Sequence, residues 1–197
     1  MDPWLESMRR GDYAAAWRIC DRVLEQRRGT GFDCSQRPRH QQFLWDGRPL
    51  DDRDVLVHCY HGLGDTLQFV RLLPLLRARA RSTTLWVQPV LLELLRGCAG
   101  IDRLLPLDDG APPDVFDAHV ELMELPHALR LDASSLPGPM PYVHVPHPGR
   151  RPRRDPRLRV GLAWRAGAWN ASRSIAAERL APLAAVPHVA WFAVQWG

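Results

Sequence analysis

Residues 55–66 read VLVHCYHGLGDT, and this stretch decides the fold class. Its first part, 55–59, is a short apolar run that is typical of a buried β-strand. Two glycines, Gly62 and Gly64, follow the run, and an apolar pattern at helical spacing starts at Leu67. The stretch therefore predicts a strand, a glycine-containing turn and a helix in direct succession.

The same alternation continues along the chain. Further strands are predicted at 83–87, 101–105 and 115–120, and helices at 65–80, 90–95 and 125–131. Pro74 predicts a kink in the first of these helices. Strands that alternate with helices indicate a parallel sheet with helices on its faces, so we expect an α/β fold.

Other segments flank this region. Residues 1–28 predict a helical hairpin broken at Gly11, and its turn resembles that of a tetratricopeptide repeat, although no second copy follows. We expect a connector at 29–53, a first α/β domain at 54–145, a proline- and arginine-rich linker at 146–157, and a second, incomplete α/β domain at 158–197. In the last of these, strands are predicted at 158–164 and 189–194 and a helix at 177–185.

Composition restricts the classes of protein that fit. Hydrophobic residues make up 46% of the 197 residues and charged residues 24%, which is typical of a folded globular chain. No apolar run approaches the roughly 18 residues that a membrane span needs, and the first 20 residues contain no apolar signal core. We therefore expect a cytoplasmic protein without a membrane span.

Cysteine and arginine usage narrow the classes further. The four cysteines form no C-x-x-C pair, which argues against a zinc ribbon and a disulfide scaffold. All 26 basic residues are arginine, so neither a P-loop lysine nor a Schiff-base lysine is present. Several arginines cluster at 150–159 among prolines, which favours a solvated linker over a nucleic-acid-binding face.

Asp65 is the first candidate for chemistry. It follows the predicted first strand and opens a helix, the place where open α/β sheets bind ligands. A dinucleotide fingerprint is disfavoured, because Leu67 replaces its third glycine and no acidic residue ends the second strand near Gln88. Aspartate is also a preferred helix N-cap, and capping alone would explain its presence.

Weaker candidates lie nearby. His58 and His61 would need further ligands to hold a metal, so packing or surface roles are favoured. Asp52 and Asp54 form a D-x-D pattern, but it precedes a strand and indicates a turn. There is no G-x-S-x-G motif, so a serine hydrolase is not supported.

Several motifs together resemble one family. In order along the chain they are Trp45-Asp46-Gly47, the strand at 55–58, GLGDTLQFVRLLPLL from Gly62, WVQPVLLELL from Trp86, FDAHVELMELPHAL from Phe116, Pro141-Tyr142, and VGLAW with Arg173-Ser174-Ile175. The chain thus resembles the glycosyltransferase domain of bacterial tetratricopeptide-repeat proteins, which is similar to the lipopolysaccharide heptosyltransferases of glycosyltransferase family 9.

The resemblance implies a GT-B fold of two Rossmann-like domains and inverting, metal-independent transfer from a nucleotide sugar, without a cofactor. Asp65 would be the general base toward an acceptor hydroxyl. The implied acceptor-loop residues are His61, Gly62, Gly64, Thr66 and Gln68. The implied donor-binding residues are Trp164, Asn170, Arg173 and Ser174. The acceptor, a glycan or a protein, is not identified.

Three features depart from the family pattern. His61 stands where glutamine is usual, Glu124 stands where serine is usual, and the loop at 165–172 has a different spacing. A family member would also continue for roughly another hundred residues, so we expect an incomplete donor side and no transfer by this chain alone. The alternative is a non-catalytic interaction module built from the hairpin and a degenerate glycosyltransferase domain, with a protein partner at the hairpin.

Overall fold

The computed structural model describes residues 2–29, 45–108, 110, 112, 114–135, 141–145, 155–166 and 171–195. The chain divides into two compact units, Met1–His147 and Pro148–Gly197. The first contains a four-stranded sheet, and the second contains a two-stranded sheet.

The four-stranded sheet is parallel throughout. Its strands are β1 (Asp54–His58), β2 (Ser82–Val87), β3 (Arg103–Pro106) and β4 (Ala118–Glu121), in the spatial order β3-β2-β1-β4. The register places Val57 of β1 beside Leu85 of β2 and Val120 of β4. The predicted α/β class with a parallel sheet is confirmed.

Strand β1 is buried on both of its faces. Val55 and Val57 lie in the main core, whereas Leu56 belongs to a second cluster with Trp86. A central parallel strand needs apolar side chains in both directions, which explains why β1 is a continuous apolar run without alternation.

The helix predicted at 65–80 is divided into three parts. Helix α3 (Leu63–Phe69) is followed by a 3-10 turn, Val70–Leu72, and then by α4 (Leu73–Arg77). Pro74 lies in the first turn of α4, where its missing N–H has no helical partner to lose. The proline therefore starts a new helix, and the prediction of one kinked helix is wrong.

The other helices beside the sheet are short. A 3-10 turn, Pro89–Leu91, leads into α5 (Leu92–Leu95), and another, Leu122–Glu124, leads into α6 (Leu125–Ala128). Both α5 and α6 contribute a fully buried leucine to the main core, Leu95 and Leu125.

Two further helices precede the sheet. They are α1 (Pro3–Arg10) and α2 (Tyr13–Gly29). Asp2 caps α1, and Gly11 ends it in the left-handed conformation, with φ of 73°. Trp17 of α2 donates its indole N–H to the carbonyl of Leu131 at 2.8 Å, which ties α2 to the sheet domain.

The second unit pairs β5 (Leu158–Leu162) with β6 (Val189–Ala193) in parallel. Between them lie two 3-10 segments, Ala171–Arg173 and Ala177–Ala185. The helix predicted at 177–185 is confirmed with the same bounds, and it is a 3-10 helix; Pro182 falls inside it and has no N–H for an α-helical bond. None of the helices in the described ranges is long and apolar enough to cross a membrane.

Candidate active site

The candidate site lies at the carboxyl ends of β1 and β4. The chain places β2 and β3 on one side of β1 and then crosses over to place β4 on the other side. This is a topological switch point, where connections leave a sheet in opposite directions and open a crevice. His58 and Glu121, the last residues of β1 and β4, are register partners at this edge.

Asp65 is held in the first turn of α3. Gly62, and not Asp65, is the N-cap residue, so the prediction of Asp65 as N-cap is wrong in position. Asp65 lies at the third helical position and accepts a hydrogen bond at Oδ2 from the Gly62 N–H at 3.1 Å. The half-buried carboxylate is thus oriented by backbone and remains open to solvent on one side.

Gln88, which follows β2, fixes the loop that contains Asp65. Its Nε2 donates to the His61 carbonyl at 2.7 Å, and its Oε1 accepts from the Thr66 hydroxyl at 3.1 Å. Thr66 is buried, so its side chain stabilises the loop and is not exposed to a ligand. One side chain therefore holds both ends of residues 61–66.

Glu121 is a buried carboxyl at the same edge. Its Oε2 accepts from the Met123 N–H at 2.8 Å, while Oε1 has no hydrogen-bond donor among the described residues. Burial raises the pKa of Glu121 to about 8, and the negative charges of Glu124 and Asp65 act in the same direction. Glu121 is therefore protonated to a large extent at neutral pH.

His61 covers Glu121 on the solvent side. Its Nε2 lies 3.5 Å from Glu121 Oε1, and its side chain is 39% exposed whereas that of Glu121 is 4% exposed. The site thus combines an oriented carboxylate, an accessible imidazole and a buried carboxyl.

Glu124 has a structural role beside this group. Its Oε2 accepts from the N–H groups of Trp45 and Glu121 at 3.0 and 3.1 Å, and burial raises its pKa. This carboxyl anchors the Trp45-Asp46-Gly47 segment to the start of the turn after β4.

The remaining predicted acceptor-loop residues differ in placement. Gly64 is exposed in the first turn of α3, and a Cβ there would meet no atom within 4 Å. Gln68 is also exposed, but it lines a separate cavity of about 280 Å³ with Met8 and Trp17. Asp65, His61 and Gly62 are brought together, and Gln68 is not part of their cluster.

The predicted donor-binding residues lie in the second unit. The Ser174 hydroxyl accepts from the Ala166 N–H at 3.0 Å, and the Trp164 carbonyl accepts from Ile175 N–H at 2.8 Å. Arg173 ends an exposed 3-10 segment next to them. Asn170 lies outside the described residues.

The weaker candidates have structural partners. His58 is buried, and its Nε2 lies 3.0 Å from Nδ1 of His119, whose pKa is lowered by burial. Asp52 lies in a turn at φ 55°, and Asp54 accepts from Arg81 and Ser82, which holds its pKa at about 2. Within the described ranges, no cluster of three His, Cys, Asp or Glu side chains has the arrangement of a metal site.

Glu121 and Gln88 are the site residues that the sequence analysis missed. Both lie at or directly after the end of a strand, so the rule that pointed to Asp65 applies equally to them. Glu121 was quoted only as part of a longer motif. Gln88 was considered only as evidence against a dinucleotide site, because no acidic residue ends the second strand near it.

Comparisons with protein-family models, with curated protein sequences and with solved structures found no match to this chain.

Proposed function

We propose that the chain is part of a glycosyltransferase that transfers a sugar from a nucleotide-sugar donor to an acceptor hydroxyl with inversion and without a metal ion. The observation that carries the proposal is the Asp65 carboxylate, oriented by the Gly62 N–H at the switch point of a parallel sheet. The motif resemblance from Trp45 to Ile175 supports the same reaction class.

Asp65 acts as the general base in this proposal. Its carboxylate takes the proton of the acceptor hydroxyl, the hydroxyl oxygen bonds to the anomeric carbon, and the nucleoside diphosphate leaves with the bonding electron pair. The oxygen that does not bind the Gly62 N–H is the one that meets the acceptor. Deprotonation of the acceptor needs only the Asp65 carboxylate, and Arg173 would take the place of a metal ion in neutralising the departing diphosphate.

The same proposal assigns a role to each of the two units of the chain. The first unit would be the acceptor side of a GT-B enzyme, preceded by a tetratricopeptide-like hairpin, and the second unit would carry the donor site in a cytoplasmic protein. Arg173 would pair with the donor diphosphate, since a planar guanidinium matches phosphate oxygens. Ser174 keeps its hydroxyl proton available for a phosphate oxygen, because it accepts from the Ala166 N–H.

The test is a transfer assay with a panel of UDP-, GDP- and ADP-sugars on a complete, active protein that contains this chain, because we expect no transfer by the chain alone. Asp65→Asn should lower transfer by about 10²–10⁴-fold, because a general base contributes that much, while asparagine preserves the bond to Gly62. Asp12→Asn is the matched control, since Asp12 also accepts a backbone N–H, that of Ala15, at the start of α2. Transfer at the parental rate in Asp65→Asn would exclude Asp65 as the base.

A cleft beside α2 favours the interaction module as a second candidate. The cavity of about 420 Å³ includes Trp17, Val23, Leu24 and Met123 in its lining, and both Val23 and Met123 are exposed. If the protein works by binding a partner in this cleft, Val23→Asp should fail to restore the phenotype of cells that lack the protein, whereas Asp65→Asn should restore it. If the protein is an enzyme, Asp65→Asn should fail to restore the phenotype and Val23→Asp should restore it.

A further inference from the structure

Glu121 differs from its neighbour Glu124 in one respect that points to chemistry. Glu124 uses its carboxyl to accept two backbone N–H groups, which is what a buried structural carboxyl requires. Glu121 satisfies only Oε2 in this way, and its buried Oε1 faces His61 Nε2 at 3.5 Å, beyond hydrogen-bond distance. Oε1 therefore faces the His61 imidazole and accepts no hydrogen bond from a backbone N–H of the described residues.

The surroundings decide where the proton of Glu121 resides. Asp65 on α3 and Glu124 on the turn after β4 face it with negative charge, which disfavours a second carboxylate. His58, its register partner on β1, is engaged with His119. The Cys59 thiol stays protonated, because burial and the charge of Glu121 raise its pKa. His61 is the one cation-forming group among these neighbours that reaches solvent.

We propose that Glu121 and His61 form a coupled acid–base pair in this site, with Glu121 as the positioning residue and His61 as the imidazole that meets the acceptor. The role toward the acceptor rests on the proposed glycosyltransferase function, whereas the pairing itself does not. A neutral carboxylic acid and a neutral imidazole exchange one proton to give a carboxylate and an imidazolium. In the second form, His61 Nε2–H donates to Oε1 and satisfies the oxygen that now lacks a donor.

The pair adds a group with a strongly raised pKa to the site. Burial raises the pKa of Glu121 to about 8, so Glu121 changes charge close to the physiological range. Because Gln88 fixes the His61 carbonyl, the imidazole stays close to Glu121 in either state. The pH then sets the charge of the His61–Glu121 pair that an acceptor would meet, while the positions of the two side chains stay the same.

The experiment is an NMR titration of the imidazole Cε1–H resonance of His61 in the full chain between about pH 5 and pH 9. In the wild-type protein we expect two steps, one from His61 itself and one near pH 8 where Glu121 ionises. In Glu121→Gln, which keeps the acceptor for Met123 N–H, the step near pH 8 should be lost. Asp21→Asn is the matched control, because Asp21 pairs with His127 Nε2 at 2.8 Å and should leave the His61 curve unchanged.

A reciprocal measurement covers the case in which Glu121→Gln does not fold. The side-chain carboxyl ¹³C resonance of Glu121 should also show two steps in the wild-type protein and only one in His61→Gln, a substitution at an exposed position. A single step at both residues in the wild-type protein, or a step near pH 8 that persists at His61 in Glu121→Gln, would overturn the pair. These titrations need no turnover, so a protein without transferase activity can still confirm the pairing and refute only the proposed reaction.

Discussion

At the scale of single residues, the site places three titratable side chains in different environments. Asp65 is half-buried and oriented by a backbone N–H, His61 is accessible, and Glu121 is buried with one oxygen that lacks a donor among the described residues. Burial and two nearby carboxylates raise the pKa of Glu121 above that of an ordinary glutamate. Such a shifted pKa is typical of acid–base sites, because it allows one group to hold a proton while another accepts one.

Glu121 makes the free energy of unfolding depend on pH. Its pKa is 4.5 in the ordinary state and about 8 in the folded chain, so the folded state binds the proton more tightly. This contribution is fully present below about pH 4.5 and is lost as pH rises toward 8, at up to about 1.4 kcal/mol per pH unit. Urea unfolding at about pH 5, 6.5 and 8 should show wild-type stability falling relative to that of Glu121→Gln. Parallel pH curves for the two proteins would contradict the raised pKa.

At the scale of elements, Gln88 controls the order of residues 61–66. Gln88→Ala removes the bonds to the His61 carbonyl and the Thr66 hydroxyl, and each such bond contributes about 1 kcal/mol. We expect faster amide hydrogen exchange at 62–66 and a loss of about 1–3 kcal/mol in the free energy of unfolding. Gln68→Ala, at an exposed position of α3, is the control and should change neither quantity. Equal exchange rates in the two variants would mean that Gln88 does not hold the loop.

The two glycines that follow α5 allow the cost of backbone strain to be compared with the cost of close packing. Gly97 and Gly100 both have positive φ, 81° and 84°, but a Cβ at Gly97 meets nothing within 4 Å whereas one at Gly100 lies 2.4 Å from the Leu73 carbonyl carbon. Gly97→Ala should cost about 1–2 kcal/mol from the left-handed conformation alone. Gly100→Ala should cost clearly more in thermal or urea unfolding, because it forces the backbone of α4 to shift. Equal losses would show that the approach to Leu73 is not tight.

The sheet was predictable from sequence because its strands are short apolar runs between glycines, prolines and charges. The helix at 177–185 was predicted with the correct bounds, although its 3-10 type was not. The prediction of a single helix at 65–80 was wrong, because the helical spacing of apolar residues does not show that Pro74 starts a new helix. Asp65 was predicted as a candidate site residue from its place after β1. Glu121 was not, because its importance depends on the crossover that brings β4 beside β1, which is a long-range property.

At the scale of the first unit as a whole, the strand order gives the site its location. Because β4 lies on the far side of β1 from β2 and β3, the loop after β1 and the end of β4 face one crevice. His61 and Glu121, which are far apart in the sequence, meet there. The helix-lined cleft at α2 is a different surface of the same unit, with Trp17 and Val23 in its lining.

The measurement that tests the central claim most directly is amide chemical-shift mapping of the full chain during titration with a panel of mono- and disaccharides as acceptor probes. If the crevice at the ends of β1 and β4 is the acceptor site, the saturating shifts fall on the amides of Gly62, Gly64, Asp65 and Glu121. They should weaken in Asp65→Asn and persist in Asp12→Asn. Saturating shifts confined to the α2 cleft around Trp17 and Val23, or no saturating shift with any probe, would contradict the account.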